Sequence, residues 1–145
     1  MVRTLYPSAD VDTYAHMTVY TLEKKVLRYQ HGPLLHLIGT AEMRHALGVP
    51  TELWRSSSQR MNATLIPDAI WSTPDGDIAI EYDTGTYRYK LIKQKVEAFS
   101  ECYAGIIWGT PSPERCTRIK EKYPWVRTLC VADLDSLAGT KDSRI

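Results

Sequence analysis

The sequence predicts an α/β protein, with a mixed sheet containing a β-hairpin and flanked by helices. Three observations predict it. A Pro and Asp-Gly turn, Thr73-Pro74-Asp75-Gly76-Asp77, leads into Ile78-Ala79-Ile80-Glu81-Tyr82-Asp83, which alternates as a strand does. The segment 87–103 and another opening at Ser112 carry helical spacing or capping. Short apolar runs follow each of them, and strands joined through helices pair at least partly in parallel.

The elements follow in order. The first dozen residues are polar and read as an extension that wraps or frays. Over 17–29, Val19, Leu22, Val26 and Tyr29 fall near helical spacing, and Gly32-Pro33 reads as the break after that helix. A second helix runs from Leu34 to Leu47, where Gly48 and Pro50 supply a helix end. Thr64-Leu65-Ile66 and Ala69-Ile70-Trp71, around Pro67-Asp68, form the first arm of the hairpin. Thr84-Gly85-Thr86 breaks the second arm, with Thr86 a candidate N-cap. Tyr89, Ile92, Val96, Phe99 and Tyr103 make one apolar stripe on the helix that follows. Ala104-Gly105-Ile106-Ile107-Trp108 reads as a buried strand. Ser112-Pro113-Glu114 opens a helix, with Pro124 after its end and 125–131 as the last strand. One domain of 145 residues is expected, with 1–32 a helical extension and 33–135 the core.

Composition narrows the class. With 43% hydrophobic and 24% charged residues the chain reads as an ordinary globular protein. Its 18 Lys+Arg against 17 Asp+Glu exclude binding by bulk positive potential, but not a local basic face. No apolar run reaches membrane-spanning length, and the N-terminus lacks a secretory h-region, so a cytoplasmic protein without a membrane partner is expected. Cys102, Cys116 and Cys130 match no zinc spacing and read as inert thiols in a reducing compartment.

The chemistry gathers on acids. Asp68 and Glu81 sit on opposite arms of the hairpin, so strand pairing can bring their carboxylates together. Asp83, two residues beyond Glu81, points to the same face. Converging carboxylates repel unless a cation neutralises them, which suits Mg²⁺ or Mn²⁺. The helix after the strand carries Arg88, Lys90, Lys93 and Lys95 with no acid before Glu97, a basic face suited to phosphate. The bland alternative is a set of solvated edge acids and surface lysines.

Pro67-Asp68, a turn, Glu81-Tyr82-Asp83 and a basic helix together resemble the PD-(D/E)XK nuclease superfamily. More narrowly, the chain resembles the replication-relaxation family of plasmids and mobile elements. The matching features are His36, Glu42-x-Arg44, Trp54-Arg55-Ser56, Leu65-Ile66-Pro67-Asp68-Ala69, Ala79-Ile80-Glu81-Tyr82-Asp83, Ile106-Ile107-Trp108 and Arg115. The resemblance implies a restriction-endonuclease-like core and a hydrolase, an endo- or exodeoxyribonuclease dependent on Mg²⁺ or Mn²⁺. It makes Asp68 and Glu81 the metal-binding acids, with the Tyr82 carbonyl as a further ligand and Glu42 as an additional acid. The superfamily's lysine position falls on Asp83. Some members carry an acid there and others recover the lysine from the next helix, which points to Lys90 and Lys93. DNA is the implied partner, gripped by Arg88, Lys90, Lys95, Arg115 and Arg118. A homodimer, or replication or transposition proteins, are further partners in keeping with it. The alternative is a non-catalytic DNA-binding or assembly factor with a degenerate nuclease fold, which Asp83 in the lysine position favours.

Other constellations are weaker. The four histidines form no H-E-x-x-H pair, and His36 in its apolar run reads as a core histidine. Ser56-Ser57-Ser58 lacks the G-x-S-x-G elbow. Among the aromatics, Trp54, Tyr87 and Tyr89 are the candidates for stacking on bases.

Overall fold

The computed structural model describes residues 2–5, 17–20, 31–57 and 65–131. It divides into two compact units, residues 1–35 and 36–145. In the first, β1 (Val2–Leu5) and β2 (Met17–Tyr20) form an antiparallel ladder, with Val2 opposite Tyr20 and Leu5 opposite Met17. The helix expected over 17–29 is therefore a strand over its first four residues, and the frayed extension begins with one. Residues 21–30 lie outside the described residues, as do 132–135 of the expected core.

The second unit is built on a five-stranded sheet. Helix α1 (His31–Leu47) enters it, followed by β3 (Trp54–Ser56), β4 (Ala69–Thr73), β5 (Gly76–Tyr82), α2 (Tyr89–Cys102), β6 (Gly105–Thr110), α3 (Pro113–Lys122) and β7 (Arg127–Cys130). Strand order follows chain order, β3-β4-β5-β6-β7. The first two pairings are antiparallel and the last two parallel, so the sheet is mixed, as expected.

The pleat assigns the helices to opposite faces. Ile78, Ile80 and Tyr82 of β5 join Ala69, Ile107 and Val131 in the cluster around Met43 of α1. Ala79, Ile106 and Trp108 face the other way, onto Ile92, Val96 and Phe99 of α2 and Ile119 of α3. The result is three layers, helix, sheet and helices. Glu81 and Asp83 share the parity of Ala79, so they point toward α2 and α3.

Several local expectations change. Gly32-Pro33 lies in the first turn of α1, where a missing N–H leaves no helical bond unmade, and the stretch 21–30 it was expected to end lies outside the described residues. Gly48 at φ +65 closes α1, its amide donating to His45 O, while Arg44 Nη1 reaches Val49 O at 2.9 Å. Leu65 and Ile66 are exposed and outside any strand, and Thr64 lies outside the described residues. The hairpin is tighter, with Thr73 opposite Gly76 across Pro74-Asp75. Thr86 is not the N-cap of α2; Arg88 holds that position without a side-chain cap. Ser112 caps α3 as expected, its Oγ accepting from the Arg115 amide at 3.2 Å. Among the described residues no helix is long and apolar enough to cross a membrane. The three thiols are free, with Cys116 buried and Cys102 exposed.

Candidate active site

The carboxyl ends of β5, β6 and β7 lie along one edge of the sheet, and antiparallel β4 begins at that edge. Asp68 immediately precedes β4, Glu81 is the penultimate residue of β5, and Asp83 follows β5. Tyr87 precedes α2, and Arg115 lies in the first turn of α3. Open α/β sheets collect their ligands at such an edge, because the loops and helix starts converge there.

Each acid meets a base from a different helix. His36 Nδ1 of α1 lies 2.9 Å from Asp68 Oδ2, which also accepts from the Tyr82 amide at 2.9 Å. Lys95 Nζ of α2 lies 2.5 Å from Glu81 Oε1. Arg115 Nε of α3 donates to Asp83 Oδ2 at 2.6 Å, while Asp83 Oδ1 accepts from the Gly85 amide. Glu81 and Asp83 are both fully buried. Taking such charges out of water is tolerable when they are paired and hydrogen-bonded, as here.

Tyr87 ties the three pairs together. Its hydroxyl donates to Glu81 Oε1 at 3.0 Å, and its carbonyl accepts from Arg115 Nη2. Its ring stacks on His36 at 5.9 Å, lies 5.2 Å from Lys95 Nζ and meets Trp108 edge-on. Tyr87, a candidate for stacking on bases by its sequence, is the hub of a buried polar network.

The electrostatics single out Glu81. Burial first, and then the Asp68 charge, pushes its carboxyl up to about 7 against the pull of Lys95 and Tyr87. Burial lowers the His36 imidazole, but the bond and charge of Asp68 and the charge of Glu81 outweigh it and hold it above its usual value. Burial and the charges of Glu81 and Asp68 also push the Tyr87 phenol up, so its hydroxyl remains a donor. Glu81 Oε2 is buried with no hydrogen-bond partner, and so is Trp108 Nε1 at the paired position of β6.

The other expected residues spread out. Lys90 is exposed on α2, and Lys93 is 60% exposed and pairs with Glu97 at 3.7 Å. Lys95, expected to grip DNA, is the lysine that reaches Glu81. Its position carried the signal: three residues after Ile92 and four before Phe99, it falls on the apolar stripe, where an ammonium needs a partner. Arg115, also expected on DNA, is turned inward, four residues before buried Ile119. Arg88 is exposed, and Arg118 pairs with Glu114 and Tyr89 at the surface. Glu42 is half-buried further along α1 with interactions of its own. His36, read as a core histidine, belongs to the site.

Among the described residues no three His, Cys, Asp or Glu side chains are grouped to hold a metal ion. The fold instead offers two carboxylates. Mg²⁺ is commonly held by one or two carboxylates with water and substrate phosphate completing its shell. Of the two, Glu81 keeps one oxygen, Oε2, without a hydrogen-bond partner, while Asp68 Oδ2 is taken by His36 and the Tyr82 amide.

Fold and site thus define a three-layer α/β protein with an acid–base network at the carboxyl edge of a mixed sheet. The family model for replication-relaxation proteins matches residues 8–111, and the chain belongs to that family. The comparisons with curated proteins and with solved structures gave no match.

Proposed function

We propose that this chain is a divalent-metal-dependent nuclease domain with a restriction-endonuclease-like core, hydrolysing DNA phosphodiester bonds. Family membership fits a role in the replication or mobility of a plasmid or mobile element. One observation carries the reading: Lys95 Nζ lies 2.5 Å from Glu81, with Asp68 held beside the same strand end through the Tyr82 amide. An aspartate, a glutamate and a lysine are the side chains of the PD-(D/E)XK site, and α2 supplies the lysine that Asp83 displaces.

In this reading Asp68 and Glu81 would hold Mg²⁺ or Mn²⁺, with the Tyr82 carbonyl as the further ligand that the family resemblance implies. A cation bound there would supply Lewis acidity, polarising a phosphoryl oxygen and lowering the pKa of an attacking water. The chain does the rest. Lys95 places a positive charge beside the metal-binding carboxylate, where negative charge develops on phosphate. Tyr87 fixes the Glu81 carboxylate through Oε1 and leaves Oε2 free. Arg115 removes Asp83 from the reaction by pairing with it.

The test is Mg²⁺-dependent cleavage of plasmid and of linear DNA. Glu81→Gln is the informative variant, since alanine would leave the Lys95 ammonium buried with no acceptor, a loss of about 3–5 kcal/mol. Wild type should cut, EDTA should stop it, and Glu81→Gln should lose at least about a hundredfold in rate. Cleavage by Glu81→Gln at the wild-type rate would overturn the assignment.

A second reading rests on the pairing itself. Each acid already has a basic partner and Glu81 is fully buried, as in a protein that keeps the fold as a DNA-binding or assembly factor. DNA binding indifferent to EDTA, with no DNA form cut, would favour it.

A further inference from the structure

Tyr89 is the first residue of α2, and the residue is 43% exposed. An exposed tyrosine on a helix normally moves among rotamers, yet this one is held at two points. Arg118 Nη1 donates to its hydroxyl at 3.0 Å, and the Arg115 guanidinium lies 5.6 Å from its ring centroid. Arg115 is itself fixed by Asp83 and by the Tyr87 carbonyl. The ring is therefore preorganised, one guanidinium away from the acid network. Exposed cations surround it: Arg88 before it, Lys90 after it and Lys93 one turn along the same face.

We propose that Tyr89 is a stacking platform for an unpaired base of single-stranded DNA, with Arg88, Lys90 and Lys93 along the adjoining phosphates. A rigid, half-exposed aromatic flanked by solvated cations is how proteins hold single strands, because every base offers a π-face while the backbone meets the charges. A base inside a duplex is already stacked on both sides and cannot use the ring, so the platform selects single-stranded or frayed ends. The guanidinium against Tyr89 adds to the stack and keeps the ring from turning. The choice of DNA rests on the proposed action on DNA and on the replication family. It narrows that proposal to strands that are unpaired near the site.

The test is fluorescence anisotropy in EDTA, with a labelled oligonucleotide of about 20 nucleotides as single-stranded DNA, as its duplex and as RNA. Wild type should bind the single-stranded DNA more tightly than the duplex. Tyr89→Leu should weaken single-strand binding about tenfold or more and leave duplex binding unchanged. Tyr89→Phe, which keeps the ring, should stay within about threefold of wild type. Tyr89 is exposed, so thermal melting should show both variants folded. Unchanged single-strand binding by Tyr89→Leu, an equal loss on the duplex, or tighter binding of RNA would each overturn the proposal. EDTA separates the two readings. Tyr89-dependent binding without cleavage in Mg²⁺ sinks the nuclease and leaves the platform, whereas cleavage with binding indifferent to Tyr89 does the reverse.

Discussion

Glu81 is where the residue-scale forces conflict. Burial and the Asp68 charge favour its protonated form, while Lys95 and Tyr87 favour the carboxylate. With its carboxyl raised from 4.5 to about 7, the folded state binds the proton more tightly than the unfolded chain does. The resulting stabilisation is fully present below about pH 4.5 and is lost as pH rises to about 7, a change of about 3 kcal/mol. His36 acts in the same sense, since its raised value also stabilises the fold at low pH and ceases to do so as pH rises through it. Thermal unfolding in EDTA should therefore show a midpoint that falls between pH 5 and pH 7. Glu81→Gln should flatten most of that fall. A variant with the wild-type slope would show that another group carries it.

At the scale of elements, close approach decides which residues are allowed. Gly39 of α1 lies against the Tyr82 ring, and a Cβ there would overlap it. Replacing a helical glycine by alanine ordinarily gains about 1 kcal/mol, whereas overpacking a rigid core loses about 1–3 kcal/mol. The overlap is with the body of a ring tethered to β5, whose Tyr82 amide is bound to Asp68, so the loss should win. Gly39→Ala should lower stability to urea by about 1–2 kcal/mol, and a stabilised variant would contradict the packing described. The elements carrying strong periodicity or end signals were legible in the sequence: α1 with Gly48, the hairpin around Pro74-Asp75, α3 with its Ser112 cap. Strand β3 was not, because three residues are too few to show a period. Met17–Tyr20 misled because Val19 sits at helical spacing from Leu22 and Val26, while its pairing with Arg3 is non-local.

Across the whole molecule, bases and acids nearly cancel, and their placement carries the meaning. Asp68 and Glu81 were legible because a short hairpin must bring its arms together. Their partners were less so, since His36, Lys95 and Arg115 come from three helices whose docking on the sheet no local pattern states. Lys95 is the instructive case: its place on the apolar stripe marked it as buried, but only the layered fold shows that Glu81 is what it meets. The three layers thus assemble an Asp–Glu–Lys constellation at the carboxyl edge of the sheet, with exposed bases and Tyr89 beside it. In the proposed function Asp68 and Glu81 hold a divalent cation. Crystals of the full chain soaked in Mn²⁺ and read by anomalous difference density test it most directly. A peak is expected within about 2.0–2.4 Å of an Asp68 oxygen and of Glu81 Oε2, abolished in Glu81→Gln. Full diffraction with no peak between the two carboxylates would contradict it.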